Sequence, residues 1–211
     1  MTALNKKYEI TELTHPHYPW LHRIRALRDI GQEVRAGDLG GFVEHEGNLS
    51  AEPGDDAWLF DDAIACGEGY VDRNSILREK AIVCGHAYAS HGTVMGGRAR
   101  AEDEAYLRGA VLTGHVRASG FAMILSSQDT GKAPALSGQA AVYGQVSGDV
   151  RLTGTALVAS GEKLCNDTKD ALVLDGQTRS VFREAARDEL SPRGSLRETI
   201  SKKKERDAHA R

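Results

Sequence analysis

The hydrophobic pattern along the chain is neither helical nor that of an ordinary antiparallel sheet. From Ala57 a small residue returns every six positions, through Ala63, Gly69, Ser75, Ala81, Ala87, Thr93, Ala99 and Ala105. Two positions after each stands a mostly aliphatic residue, from Leu59, Ala65 and Val71 to Met95, Ala101 and Leu107. The register slips by one residue and continues as Ala110/Leu112, Val116/Ala118 and Ala122/Ile124, giving twelve consecutive rungs. Spacings of two and six do not fit a 3.6-residue period. Hairpins have no reason to keep a fixed six-residue repeat.

Residues two apart in a strand share a face, so each rung sends one small and one larger side chain inward. The residue between them is expected to face solvent: Trp58, Tyr70, Tyr88, Arg100, Tyr106 and Arg117. Gly67, Gly85, Gly97, Gly114 and Gly120 fall between rungs, where the backbone must turn a corner. Three such sides make a triangular coil of eighteen residues, with coils stacked at about 4.8 Å. The pattern pauses over 125–133 (LSSQDTGKA) and resumes at Pro134/Leu136, Ala140/Val142, Val150/Leu152 and Ala156/Val158. The pause reads as a loop extruded from a solenoid, a place where function often resides.

A solenoid needs caps, because its terminal strands expose unpaired edges. Residues 7–13 and 20–30 read as non-repeat strands joined through HPHYP, followed by an irregular first coil, GDLGGFVEHEGNLS. Residues 181–190 and 194–206 read as helices separated by Ser191–Gly194. The resulting division is an N-terminal cap over 1–38, a β-helix over 39–165, and a C-terminal cap with a basic helical tail over 166–211.

The chain has 211 residues, 23 of them Gly, and only 6% aromatic residues. That composition suits a narrow repetitive interior better than an ordinary globular core. No apolar run reaches membrane-spanning length, so no membrane contact is expected. Three cysteines without a CxxC spacing and without an export signal point to a reduced, cytoplasmic protein. The formal charge of −3 divides unevenly: residues 191–211 carry seven Lys/Arg against three Asp/Glu, and the remainder is acidic.

The segment LHRIRALRDI…VRAGDLGGFVEHEGNLS, followed by W-L-F-D-D-A and the A-x-V-x-G-like rungs, resembles the YdcK-like proteins of bacteria and their phages. The resemblance covers about residues 7–160. It implies an all-β solenoid in the form of a single-stranded left-handed parallel β-helix, related to the trimeric hexapeptide-repeat acyltransferases. Most glycines here lie two positions after the aliphatic residue, not directly after it as in those transferases. No catalytic residue is carried over, and no cofactor or metal is indicated.

Several constellations invite chemistry. His86, His91 and His115 sit near corners, but a general base needs a cleft and a partner that sets its protonation. Stacking of eighteen-residue coils aligns Glu68, His86 and Glu104, a column read as a hydrated charge ladder, and brings Cys66 near Cys84 as reduced neighbours. DTGKA lacks the complete phosphate-binding pattern GxxxxGK[ST]. Candidate binding residues are therefore Gln128, Asp129 and Lys132 in the loop, and Lys202, Lys203, Lys204 and Arg206 in the basic tail. The tail could meet nucleic-acid phosphates. The expected function is non-catalytic: a phage or prophage accessory scaffold binding a macromolecular protein partner, with inhibition of a host defence complex as one form. The alternatives are a trimeric acyltransferase and a nucleotide-sequestering protein. A homo-oligomer is compatible with each reading, a trimer if the transferase analogy extends to assembly.

Overall fold

The computed structural model describes residues 5–182. Its strands build three parallel sheets that together wrap one solenoid, capped at its N-terminal end by two antiparallel strands. Strand β1 (Tyr8–Thr14) pairs antiparallel with β2 (His22–Ala26), and β2 with β3 (Leu39–Val43). The direction then changes: β3 pairs in parallel with Ile64–Ala65, and the first face runs on through Ile82–Val83, Arg100–Ala101, Arg117–Ala118, Ala141–Val142 and Leu157–Val158.

The second face stacks Trp58–Leu59, Ile76–Leu77, Val94–Met95, Val111–Leu112, Ala135–Leu136 and Val150–Thr153. The third stacks Tyr70–Val71, Tyr88–Ser90, Tyr106–Arg108, Met123–Leu125, Gln145–Gly148 and Lys163–Asn166. Trp58 pairs with Ile76 and Ile76 with Val94, eighteen residues apart each time; the next partner is Val111, one residue short. That short coil is the register slip seen in the sequence. The inward series is closed to solvent: Leu59, Leu77, Val83, Met95, Leu107, Leu112 and Ile124 are all 0% exposed. Burying each large aliphatic side chain contributes about 1.5–3 kcal/mol.

The outward positions depart from expectation at one end. Trp58 is 1% exposed, because the cap packs over it: Tyr8 meets the indole edge-on at 6.4 Å, and Ile24, Ile30 and Val34 join the same cluster. Tyr70, Tyr88 and Tyr106 are half-covered by stacking on one another, with centroids 5.6 and 5.4 Å apart. Arg100 and Arg117 do face solvent and share Glu102.

The segment GDLGGFVEHEGNLS is where the chain enters the solenoid, and its composition is dictated by contact. A Cβ on Gly41 would lie 2.3 Å from the Ala63 carbonyl oxygen, and one on Gly40 would lie 2.6 Å from the Trp58 indole. Asn48, fully buried, donates to the carbonyls of Gly67 and Gly69 (2.7 and 3.0 Å) and accepts from the N–H groups of Glu44 and His45 (3.0 and 2.9 Å).

Corners are built by carboxylates as well as by glycine. Asp61, Glu79 and Asp103 hold positive φ, and each accepts from a backbone N–H of the next coil: Glu79, Gly97 and Gly120 respectively. Part of the acidic character of the body is thus spent inside its own turns.

The expected C-terminal helix at 181–190 is corrected at its start. Val181 and Phe182 end a strand, Thr178–Phe182, paired antiparallel with Ala171–Asp175. The reason is the two-residue Gly176-Gln177 loop between the paired Asp175 and Thr178: glycine at the first loop position is a hairpin turn signal, and Gly176 holds φ +56°. The rest of that helix, the helix at 194–206 and the basic residues Lys202, Lys203, Lys204 and Arg206 lie outside the described residues.

Candidate interaction surface

The connection between β1 and β2 carries HPHYPWL, three aromatic or apolar anchors and two histidines set among two prolines. Proline fixes φ and removes donors, so the segment cannot continue the sheet. It closes instead on itself: His15 N–H donates to Leu21 O (2.9 Å), Leu21 N–H to Tyr18 O (2.9 Å), and Tyr18 N–H to His15 O (3.2 Å). The His15 ring stacks on Tyr18 with centroids at 5.0 Å and meets Phe42 edge-on at 4.8 Å, while Tyr18 leans on Trp20 at 5.5 Å. Burial, then the neighbouring His17, lowers the His15 pKa, so this stack holds a neutral imidazole.

Beneath the overhang the first outer face is apolar: Leu21, Phe42 and Ile64 form a buried patch, with Ile82 and Cys66 against it. Arg23 locks the edge. Its guanidinium lies 4.2 Å from the Phe42 ring centre, donates to Gly40 O and Asp61 O, and pairs with Asp62 at 2.9 Å. Between overhang and face is a cavity of about 330 Å³, lined by His15, His17, Tyr18, Asp62, Lys80 and Ile82 among others. Above it Trp20 is 57% exposed and Tyr18 43%. Aromatic residues left in water on a braced loop are the feature that composition alone does not explain.

The third face holds a second polar site, at which the chemistry can be read from the wiring. Asp72, nearly buried, accepts from Tyr88 Oη and Ser90 Oγ, both at 2.6 Å. Ser90 Oγ is also 2.8 Å from His91 Nδ1, and Arg73 Nη1 meets His91 Nε2 at 2.5 Å. Since Arg can only donate, Nε2 accepts, Nδ1 carries the proton and donates to Ser90, and Ser90 gives its own proton to Asp72. A nucleophilic serine needs the reverse order, with histidine between the hydroxyl and the carboxylate. Ser, His and Asp are here a positioning relay; His91 sits at φ +56° within it.

The candidates named from the sequence fall as follows. Gln128 and Asp129 are exposed at the tip of the 125–133 loop, whose neck is closed by Ser127 N–H donating to Lys132 O at 2.8 Å. Lys132 points back to the solenoid and pairs with the nearly buried Asp149 at 2.8 Å, so it fastens the loop. His86 and Glu104 come together at 3.6 Å, both exposed. Among the described residues no group of three or more His, Cys, Asp or Glu is placed to hold a metal ion, and no helix is long and apolar enough to cross a membrane. The aromatic overhang was legible in HPHYP as a turn; the two histidines and three aromatic or apolar anchors of HPHYPWL were the signal that it also forms a surface.

No protein-family model matches the chain, and no curated protein matches it.

Proposed function

We propose that the protein is a non-catalytic β-helical interaction protein, and that the overhang of Tyr18 and Trp20 at its capped end docks a macromolecular protein partner. The observation that carries this reading is the exposure of two aromatic side chains on a loop braced by ring stacking and closed by backbone hydrogen bonds. Trp, Tyr and Arg dominate binding hot spots, and a preorganised loop loses little entropy on docking. The neighbouring Arg23, Asp62 and Lys80 supply a polar rim around the apolar patch. The wiring of His91 and Ser90 supports a non-catalytic role for the most reactive-looking side chains.

The same proposal includes the left-handed winding, the YdcK-like kinship and the phage or prophage setting implied by the sequence resemblance, with a host defence complex as the kind of target. An experimental electron-density map decides the winding. The interaction is tested by affinity capture from bacterial lysate, comparing the wild-type chain with a Tyr18→Ala/Trp20→Ala chain of unchanged melting temperature. A stoichiometric partner retained by the first and weakened by at least about thirtyfold in the second is expected, the loss from removing one hot-spot residue of about 2 kcal/mol. Equal retention by both chains, or no stoichiometric partner for either, overturns the reading.

A further inference from the structure

Cys66 and Cys84 leave the first face at the same corner of successive coils. Their preceding residues, Ala65 and Val83, are register partners, and Cys66 N–H donates to Val83 O at 3.0 Å. In-register neighbours in a sheet stand about 4.8 Å apart, inside the Cα separation of about 4.4–6.8 Å that a disulfide accepts. The corner is tightly packed: a Cβ on Gly69 would lie 2.9 Å from the Cys66 carbonyl oxygen and 3.0 Å from the Cys84 Cα. That register sets the two side chains next to each other on adjacent coils. Both are free and half-buried, within reach of a small solute. Cys66 packs on the apolar patch of Leu21 and Phe42, while Arg100, paired with Ile82 on the next coil, brings its positive charge near Cys84. Two thiols on adjacent coils, one against an apolar wall and one near a guanidinium, are chemically unequal.

We propose that Cys66 and Cys84 form a modification site for small hydroperoxides, at which Cys84 is oxidised and Cys66 resolves the product into a disulfide joining adjacent coils. The Cys84 thiolate attacks one peroxide oxygen. An S–O bond forms as the O–O bond breaks, leaving a sulfenic acid on Cys84 and an alkoxide that takes a proton from solvent to become the alcohol, or water when the peroxide is hydrogen peroxide. Cys66 then gives its proton to solvent and attacks the sulfenic sulfur. The S–S bond forms, and the departing hydroxide is protonated to water. In sum, two thiols and one hydroperoxide become one disulfide, one alcohol and one water; the sulfurs are oxidised and the peroxide is reduced.

The environment assigns the roles. The neighbouring Cys66, and after it the charge of Arg100, brings the Cys84 thiol down to about 7 against burial and Glu102, while the same pairing pushes Cys66 up. An attacking thiol with a pKa near ambient pH combines a good thiolate fraction with retained nucleophilicity. A neighbouring resolving thiol carries the product to a reducible disulfide and away from irreversible oxidation.

The test uses the full chain with Cys165→Ser, which removes the third, exposed thiol. After exposure to hydrogen peroxide, intact mass and thiol titration of the denatured chain are read. The expected product is a monomer lacking two hydrogens, with both thiols blocked and both restored by dithiothreitol. In a Cys66→Ser chain, dimedone should trap Cys84 at least about ten times faster than it traps Cys66 in a Cys84→Ser chain, the low-pKa thiol being the nucleophile. A chain that keeps both thiols, a disulfide between two chains, or equal trapping at the two positions overturns the proposal. The mass of the unsubstituted pair decides even if a serine variant folds poorly.

Discussion

Asn48 offers the sharpest check on how the solenoid is started. Its amide joins the entry segment to the first corner through four hydrogen bonds, two donated to Gly67 and Gly69 and two accepted from Glu44 and His45. Asn48→Asp preserves the shape and the acceptor, but turns an oxygen toward two carbonyls that lose their donor. Each buried bond left unmade costs about 1–3 kcal/mol, and an uncompensated buried charge about 3–5 kcal/mol. Both costs describe the same unpaired carboxylate and overlap, so the larger one sets the loss at about 3–5 kcal/mol. At about 2–4 °C per kcal/mol for a chain of this size, the melting temperature falls by about 6–20 °C. The introduced carboxyl has its folded pKa raised above the unfolded value of about 3.9, since its charged form is the disfavoured one. Its destabilisation is therefore complete above the folded pKa and fades as pH falls toward the unfolded one. Thermal melts by far-ultraviolet circular dichroism, run in parallel on both chains from about pH 3.5 to about pH 7.5, read this directly. A gap below about 1 kcal/mol at neutral pH, the net worth of one ordinary hydrogen bond, would refute the role given to Asn48. So would a gap that widens on acidification.

The remaining predictions concern the cap and the corners. Gly41→Ala, with a Cβ 2.3 Å from the Ala63 oxygen, should abolish folding or cost several kcal/mol, whereas Gly120→Ala, which meets nothing within 4 Å, should cost only the about 1–2 kcal/mol of a left-handed φ; urea midpoints separate them. Lys7 is 1% exposed, donates to Ser50 O at 2.8 Å, and burial brings its pKa down from 10.5 to about 8. The unfolded chain then holds this proton across pH 8–10.5 while the folded one releases it, so stability relative to Lys7→Met should rise across that window, by at most about 3 kcal/mol. A difference flat in pH would count against a buried ammonium. His91 has its pKa lowered by burial and then by Arg73, so its contribution is present above the unfolded value of 6.5 and is lost as pH falls through the folded one; His91→Asn should flatten the acid limb of the melting profile.

The interior was written plainly in the sequence because a stacked coil repeats its environment. Every rung from Ala57 to Ile124 asks for a small and then an aliphatic residue, and the one-residue slip after Leu107 appears as the short coil between Val94 and Val111. What the repeat could not show was anything lying outside its own period. Trp58 occupies an outward position, and only the non-repeating cap, arriving from Tyr8, Ile30 and Val34, buries it. The hairpin over 171–182 was hidden for a related reason: VFREA has helical composition, while the turn that decides its start, Gly176-Gln177, lies several residues earlier. The corner acids were legible as charge but not as ligands of the next coil's N–H groups, since that use depends on which corner carries a positive φ.

The candidate sites follow the same division. A repeat gives each face a uniform surface, and uniform surfaces discriminate poorly between partners; specificity has to come from residues that break the pattern. The chain breaks it at the HPHYPW connection, which puts Tyr18 and Trp20 into solvent, and at the 125–133 loop, which Lys132 ties to Asp149. It also departs from small corner residues where two thiols follow their rungs on adjacent coils, at Cys66 and Cys84. The first and last of these meet at one place, because Cys66 packs on the Leu21 and Phe42 patch that supports the overhang. A covalent link between the coils there would stiffen the floor beneath the exposed aromatics, so the reactive pair and the docking surface share a foundation while remaining separately testable.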